Sequence, residues 1–205
     1  MATTREDAMR GKDAGRGRLF YVMGPSGAGK DSVLGYVRKR LEDPGAYPGV
    51  VFAHRYITRR ADAGGENHVE LTEAEYAHRL AAGLFALEWD SHGFRYALGR
   101  EIDLWMDAGQ HVVVNGSRGF FPEAARRYPD ISPVLVTVSP EVLRARLVGR
   151  GREDDEEIAR RLRRAEEFRV EHPQLAVVDN GGVLEESGRA LLALLRSRPA
   201  PPNTP

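Results

Sequence analysis

From residue 18 to residue 197 the chain alternates between two patterns. Short apolar runs, RLFYVM (18–23), GVVFAH (49–54), HVVVN (111–115), SPVLVTVS (132–139) and LAVVDN (175–180), have the length and branched-residue content of buried strands. Elsewhere apolar residues recur every three or four positions. DSVLGYVRKRLE (31–42) does so at Val33, Val37 and Leu41, and EAEYAHRLAAG (73–83) stops at Gly83. PEVLRARLVGR (140–150) opens with Pro140 at the first helical position, where its missing N–H has no intrahelical partner to lose. EEIARRLRRAEEFRVE (156–171) and VLEESGRALLALLRS (183–197) complete the predicted helices. LFALEW and FRYAL flank DSHG and predict a hairpin. Strands alternating with helices predict an α/β layered fold with a mostly parallel central sheet and right-handed crossovers. Residues 1–17 are polar and aperiodic, and 197–205 are proline-rich; both read as flexible tails around one domain of residues 18–196.

Composition narrows what that domain handles. Thirty basic and 30 acidic residues cancel, so no global field recruits nucleic acid or a membrane surface, and any anion site is local. No cysteine is present, which removes disulfides and thiolate metal sites, and the 6 histidines show no metal-ligand spacing. No run approaches the roughly 18 apolar residues of a membrane span, and the N-terminus carries no apolar signal core. A cytoplasmic protein with small-molecule partners is expected, with a homodimer left open. Almost all the positive charge is arginine; the lysines are Lys12, Lys30 and Lys39.

Lys30 falls in GPSGAGKDS (24–32), directly after a predicted strand and at the start of a predicted helix. A strand, G-x-x-x-x-G-K and a helix is the context of a loop that cradles nucleotide phosphates. Gly24, Gly27 and Gly29 let successive N–H groups turn inward, and the helix start adds partial positive charge. ATP is therefore expected on Gly24, Pro25, Ser26, Gly27, Ala28, Gly29, Lys30, Asp31 and Ser32, with Lys30 reaching the β- and γ-phosphates. Asp31 stands where a hydroxyl that ligates Mg²⁺ usually follows the lysine. Either Asp31 holds Mg²⁺, directly or through water, or it favours the helix N-terminus and points away. Ser32, one place later, offers a hydroxyl to the metal or a phosphate.

A second set of residues suits anions. RYITRRADAGGENH (55–68) brings Arg55, Arg59 and Arg60 together, and arginine forks match phosphate oxygens. In the expected hairpin, Glu88, Asp90, Arg95 and Tyr96 line a cleft, while Trp89 reads as packing. HVVVNGSRG ends a buried strand at Asn115, a neutral residue where a second metal-side carboxylate would be expected; Arg118 follows at a strand's carboxyl end, where ligands of α/β sheets sit. RLVGRGREDDEEIARRLRRAEE (146–167) places Arg150 and Arg152 around Gly149 and Gly151 as a flap able to bring charge to a transferring phosphoryl group. Arg160, Arg161 and Arg164 follow, with Glu156–Arg160 and Glu157–Arg161 spaced as ordinary helix-surface pairs.

In this order, the glycine loop, YITRR, FALEWDSHGFRYAL, VVVNGSRG and GRGREDDEEIARRLRRA resemble the guanylate-kinase-like P-loop kinases over about residues 18–180. That likeness implies a P-loop NTPase three-layer fold, an acceptor-binding insert at about 55–100 and a lid at about 149–156. The guanylate kinase pattern S-x-T-T-R-x-x-R is altered here. Arg55 replaces its serine, Asp62 its second arginine, and Asn67 stands where a tyrosine precedes the histidine; Thr58 and Arg59 are kept. GKDS, RYITR, AGGENH and NGSR are instead similar to the ribose 1,5-bisphosphate phosphokinases. Such enzymes move the γ-phosphate of ATP onto the 1-phosphate of ribose 1,5-bisphosphate, giving 5-phosphoribosyl 1-diphosphate in phosphonate catabolism. The resemblance implies ATP with Mg²⁺ (on Asp31 and Ser32), catalytic Lys30, Arg150 and Arg152, and an acceptor site of Arg55, Thr58, Arg59, Arg60, Glu88, Arg95, Tyr96, Arg118 and Arg161. A baseless, doubly phosphorylated sugar calls for more arginine and fewer base readers, the direction of the change at Arg55. A nucleoside monophosphate kinase and a catalytically silent binding module are the rival expectations.

Overall fold

Apolar runs become strands and periodic stretches become helices in the computed structural model, which describes residues 15–41, 49–60, 68–151 and 154–197. The expected tails fall almost wholly outside these residues, as do Asp62, Asn67 and Arg152. In chain order the elements are β1 (Leu19–Met23), α1 (Lys30–Leu41), β2 (Val50–Phe52), β3 (Arg55–Ile57), β4 (His68–Glu70), α2 (Glu73–Ala81), β5 (Phe85–Ser91) and β6 (Phe94–Gly99). Then come α3 (Glu101–Asp107), β7 (His111–Asn115), α4 (Phe121–Arg127), β8 (Ser132–Thr137), α5 (Pro140–Arg150), α6 (Asp155–Glu167), β9 (Ala176–Asp179) and α7 (Leu184–Arg196).

The chain divides into two compact units, the first made of residues 1–23 and 49–133. In it β7 lies between β1 and β2 and pairs parallel with both, Tyr21 opposite Val114 and Val51 opposite Val112. β1 is buried at every position and β7 from Val112 to Asn115, as expected of strands covered on both faces. A second sheet runs β4-β3-β6-β5. Its β5–β6 hairpin turns at His92 (φ 53°) and Gly93 (φ 76°), a pair of positive values that suits the twist of antiparallel strands. Helix α2 is capped by Thr72, whose side chain accepts the Glu75 N–H. Its Tyr76 packs with Leu71, Phe85 and Ala97.

The second unit comprises residues 24–48 and 134–205. β8 and β9 pair parallel, with Val136 opposite Val178. α5 begins at a Ser139 cap that accepts the Val142 N–H and ends at Gly151 in the left-handed region. Leu143 and Leu147 of α5 pack on Ile158 of α6.

All described pairings among β1, β2, β7, β8 and β9 are parallel, which bears out the α/β reading. Four elements go beyond what the pattern showed. β3 and β4 are three-residue strands inside an arginine-rich segment, each too short for alternation to register, and α3 and α4 are two-turn helices. α6 stops at Glu167 rather than 171. No helix among the described residues is long and apolar enough to cross a membrane.

Candidate active site

In the second unit the glycine loop enters α1 at Lys30. Gly24 lies against β8, where a Cβ would stand 2.4 Å from Val136 O. Gly27 and Gly29 have φ of 96° and 81°, conformations that L side chains resist, so the loop cannot be traced by other residues at these points. The turn is closed by the Ala28 N–H on Pro25 O at 3.1 Å, and α1 begins with the Val33 N–H on Gly29 O at 3.1 Å. The Lys30 side chain is 14% exposed with Nζ 3.8 Å from Asp31 Oδ1; Asp31, Ser32 and Ser26 are exposed.

Behind the loop stand residues that sequence reasoning missed. Arg146 of α5 and Asn180, the residue after β9, both donate to Ala28 O, at 3.1 and 2.7 Å. Asn180 sits at a strand's carboxyl end, which was the available signal. Arg146 carried no such signal, because on sequence it is one of several arginines on a helix.

The structure puts Arg161 on the loop. Its Nη1 donates to Ser26 Oγ at 2.9 Å and its Nε to Glu157 Oε1 at 3.0 Å; Arg160 pairs with the same carboxylate. Arg150 is exposed at the last residue of α5, next to left-handed Gly151. Arg152, the other arginine of the expected flap, lies outside the described residues.

The remaining candidates belong to the first unit, on the four-stranded sheet and the end of β7. Thr58 is locked to Arg95: its N–H donates to Arg95 O at 3.1 Å and its Oγ1 accepts the Arg95 N–H at 3.0 Å. Register and alternation divide the set between two faces. On one face the Arg55 guanidinium lies 5.1 Å over the Tyr96 ring. Tyr96 stacks on Trp89 (5.5 Å, 9°), and Trp89 on Phe120 (5.3 Å, 20°). Trp89 is 6% exposed and serves as packing. On the other face Arg95 lies 4.2 Å over Tyr76, with its Nε 3.9 Å from Asp90 Oδ1. Burial pushes the Tyr76 phenol well above its usual range, so it stays protonated and donates to Tyr96 O at 2.9 Å. Glu88 and Asp90 project from alternate positions of β5, both exposed.

Arg59 is half-buried after β3, with His68 Nε2 3.0 Å from its carbonyl, and Arg60 is exposed. At the end of β7, Asn115 is buried and Arg118 half-buried. The turn between them is held by Tyr21, whose hydroxyl accepts the Ser117 N–H at 2.9 Å and donates to Ser117 O at 3.0 Å.

The described residues hold no group of three or more His, Cys, Asp or Glu fit for a metal cage. Mg²⁺ on a nucleotide needs no such cage; it takes one or two protein oxygens and fills its octahedron with phosphates and water. The exposed Asp31 carboxylate and Ser32 hydroxyl, on the first turn of α1 beside Lys30, fit that mode.

Comparison with known proteins places this arrangement. A family described as "AAA domain" matches residues 21–172. Ribose 1,5-bisphosphate phosphokinase PhnN of Thiobacillus denitrificans is 56% identical over 179 residues, covering 87% of this chain and 93% of that protein. Its counterpart in Desulfomicrobium baculatum is 57% identical over 178 residues, covering 87% and 94%. Among solved structures, guanylate kinase from Anaplasma phagocytophilum superposes with a TM-score of 0.64 at 16% identity, over 89% of this chain and 86% of that one, a likeness of fold.

Proposed function

The chain belongs to the ribose 1,5-bisphosphate phosphokinase family of phosphotransferases, and from that premise we propose that it transfers the γ-phosphate of ATP to the 1-phosphate of α-D-ribose 1,5-bisphosphate. The products are 5-phospho-α-D-ribose 1-diphosphate and ADP. The place of the reaction in phosphonate catabolism and in supply of that diphosphate is part of the same proposal.

The observation that carries the acceptor assignment is the Arg55–Tyr96 stack. A guanidinium held over a buried aromatic ring by cation–π attraction brings fixed positive charge to that face of the sheet, which suits a phosphate. Arg59, Arg60 and Arg118 add charge suited to the second phosphate and to the transferring group. Glu88 projects from the face of β5 opposite Trp89 and Tyr96, beside Asp90, and is left out of this acceptor set. Arg161, being bonded to Ser26, is reassigned to the nucleotide side.

On the donor side, the loop amides and the Lys30 ammonium take the β- and γ-phosphates. Mg²⁺, held through Asp31 and Ser32, supplies further charge neutralisation when bound. An oxygen of the acceptor's 1-phosphate attacks the γ-phosphorus. The bond from that phosphorus to the β–γ bridging oxygen breaks, and its electron pair leaves with ADP. The nucleophile is already an anion, so no general base is required. The protein's part is positioning and electrostatic stabilisation. Arg150, exposed at the end of α5 beside left-handed Gly151, adds to the positive field around the triphosphate on this reading.

ATP consumption measured with ribose 1,5-bisphosphate, GMP, AMP and no acceptor tests the proposal. Turnover with the bisphosphate alone is expected, and phosphorus NMR should show a new diphosphate at C1. Turnover with GMP in place of the sugar would replace this reading with a nucleoside monophosphate kinase.

A further inference from the structure

One carbonyl behind the glycine loop is gripped by a buried polar chain. Ala28 O accepts from Asn180 Nδ2 at 2.7 Å and from Arg146 Nη1 at 3.1 Å. The same guanidinium donates through Nη2 to Asn180 O at 2.7 Å, so one planar fork ties the loop to the turn after β9. Asn180 is 3% exposed, and its own N–H donates to Thr137 O at 2.8 Å. Its Oδ1 lies 2.7 Å from Ser187 Oγ on α7, and Ser187 is 2% exposed. The amide orientation follows from this pairing. The side facing the Ala28 carbonyl must carry the N–H groups, which leaves the oxygen to accept from the Ser187 hydroxyl, whose single proton also has Leu184 O at 2.9 Å.

The Ala28–Gly29 peptide is planar and trans, so its C=O and N–H point in opposite directions. Donors that hold Ala28 O on one side therefore aim Gly29 N–H to the other, away from Asn180 and Arg146. Asn180 also fills the space of a side chain at position 29: a Cβ there would lie 2.4 Å from Asn180 Nδ2 and 3.3 Å from Arg146 Nη1. The glycine and the asparagine are thus matched parts of one device. An amide held in its binding direction before ligand arrives adds no ordering cost on binding. We propose that Asn180, oriented by Ser187 and Arg146, is a positioning residue that presets the Gly29 amide of the glycine loop for the phosphate tail of the nucleotide. The inference rests on the reading that this loop takes the triphosphate of ATP.

Calorimetry on the full chain with two probes, ATP–magnesium and inorganic tripolyphosphate–magnesium, tests it. Asn180→Asp keeps the shape but sets a carboxylate against the Ala28 carbonyl. Ser187→Ala adds no charge and removes the hydroxyl that orients the amide, together with its bond to Leu184 O within the same helix. Losing one such hydrogen bond is expected to raise Kd about 5-fold for Ser187→Ala, and roughly 10-fold or more for Asn180→Asp. The factor should be the same for both probes, the acceptor KM should be unmoved, and Ser187→Thr should recover most of the loss. Wild-type affinity in both variants overturns the inference, and so does a loss confined to ATP, which would put Asn180 against the base instead of behind the loop. If Asn180→Asp does not fold, Ser187→Ala decides on the same two probes. A wild-type protein that binds neither probe overturns the nucleotide reading itself, a result distinct from unchanged variants of a wild type that binds both.

Discussion

Lys30 carries a charge that the surrounding atoms keep close to the loop: its side chain is 14% exposed at the first turn of α1. Truncation removes charge from the β- and γ-phosphates without opening a core cavity. Lys30→Ala is expected to lower kcat by roughly 10²–10³-fold, the scale of losing a single transition-state contact, while melting stays cooperative and near the wild-type temperature. Undiminished turnover would refute the loop assignment. Arg59 offers the complementary case from the first unit. Arg59→Ala should raise the KM for the bisphosphate far more than the KM for ATP, and equal effects on both would remove it from the acceptor side. These two residues were legible in the sequence because each sits in a motif. Arg146 and Asn180 were not. Their role depends on reaching the Ala28 carbonyl across 118 and 152 residues of chain, which no local pattern records.

Elements convert local rules into placement. The glycine loop can follow its path because Gly27 and Gly29 adopt positive φ. At Gly27 a Cβ would also meet Leu143 Cδ1 at 2.8 Å and Leu147 Cδ2 at 3.1 Å. Gly27→Ala is therefore expected to cost about 1–3 kcal/mol from the backbone alone, and to weaken ATP binding as the loop shifts; denaturant unfolding with calorimetry would show both. Helix α2 gives a contrasting prediction. Thr72→Ala removes the cap on Glu75 N–H, which lies at 3.1 Å, and should cost about 1 kcal/mol of stability without touching ATP affinity. A change in ATP affinity of more than about 2-fold, a few tenths of a kcal/mol, would show coupling that a cap cannot supply. The hairpin was readable as two apolar runs around DSHG. The division of its candidates between two faces was not, since it follows from the pairing of Trp89 with Tyr96 and Asp90 with Arg95.

For the molecule as a whole, pH should act through His111 at the start of β7. Burial, with the Arg18 charge adding to it, holds this imidazole below its usual range. The neutral ring accepts the Arg18 N–H at Nδ1, 3.1 Å away, a bond the protonated ring cannot make. The unfolded chain takes its proton at about pH 6.5. Between that value and the depressed native one the unfolded state binds more protons, so stability is present at neutral pH and falls as pH drops through this window. The urea midpoint is expected to decline below about pH 6.5, with a shallower decline in His111→Gln; identical slopes would exclude this histidine as the cause. The sequence by itself determined most of the strands, the main helices, the glycine loop with its lysine and the arginine-rich segment at 55–60. It could do so because burial periodicity, left-handed glycines and anion-binding charge are properties of residues close together in the chain. Tertiary structure alone decided which side chains pin the loop from behind, that Arg161 meets Ser26, and which face of the sheet Arg55 and Arg95 occupy. Those outcomes depend on strand register and on contacts between residues more than a hundred positions apart, and a linear pattern does not encode such contacts.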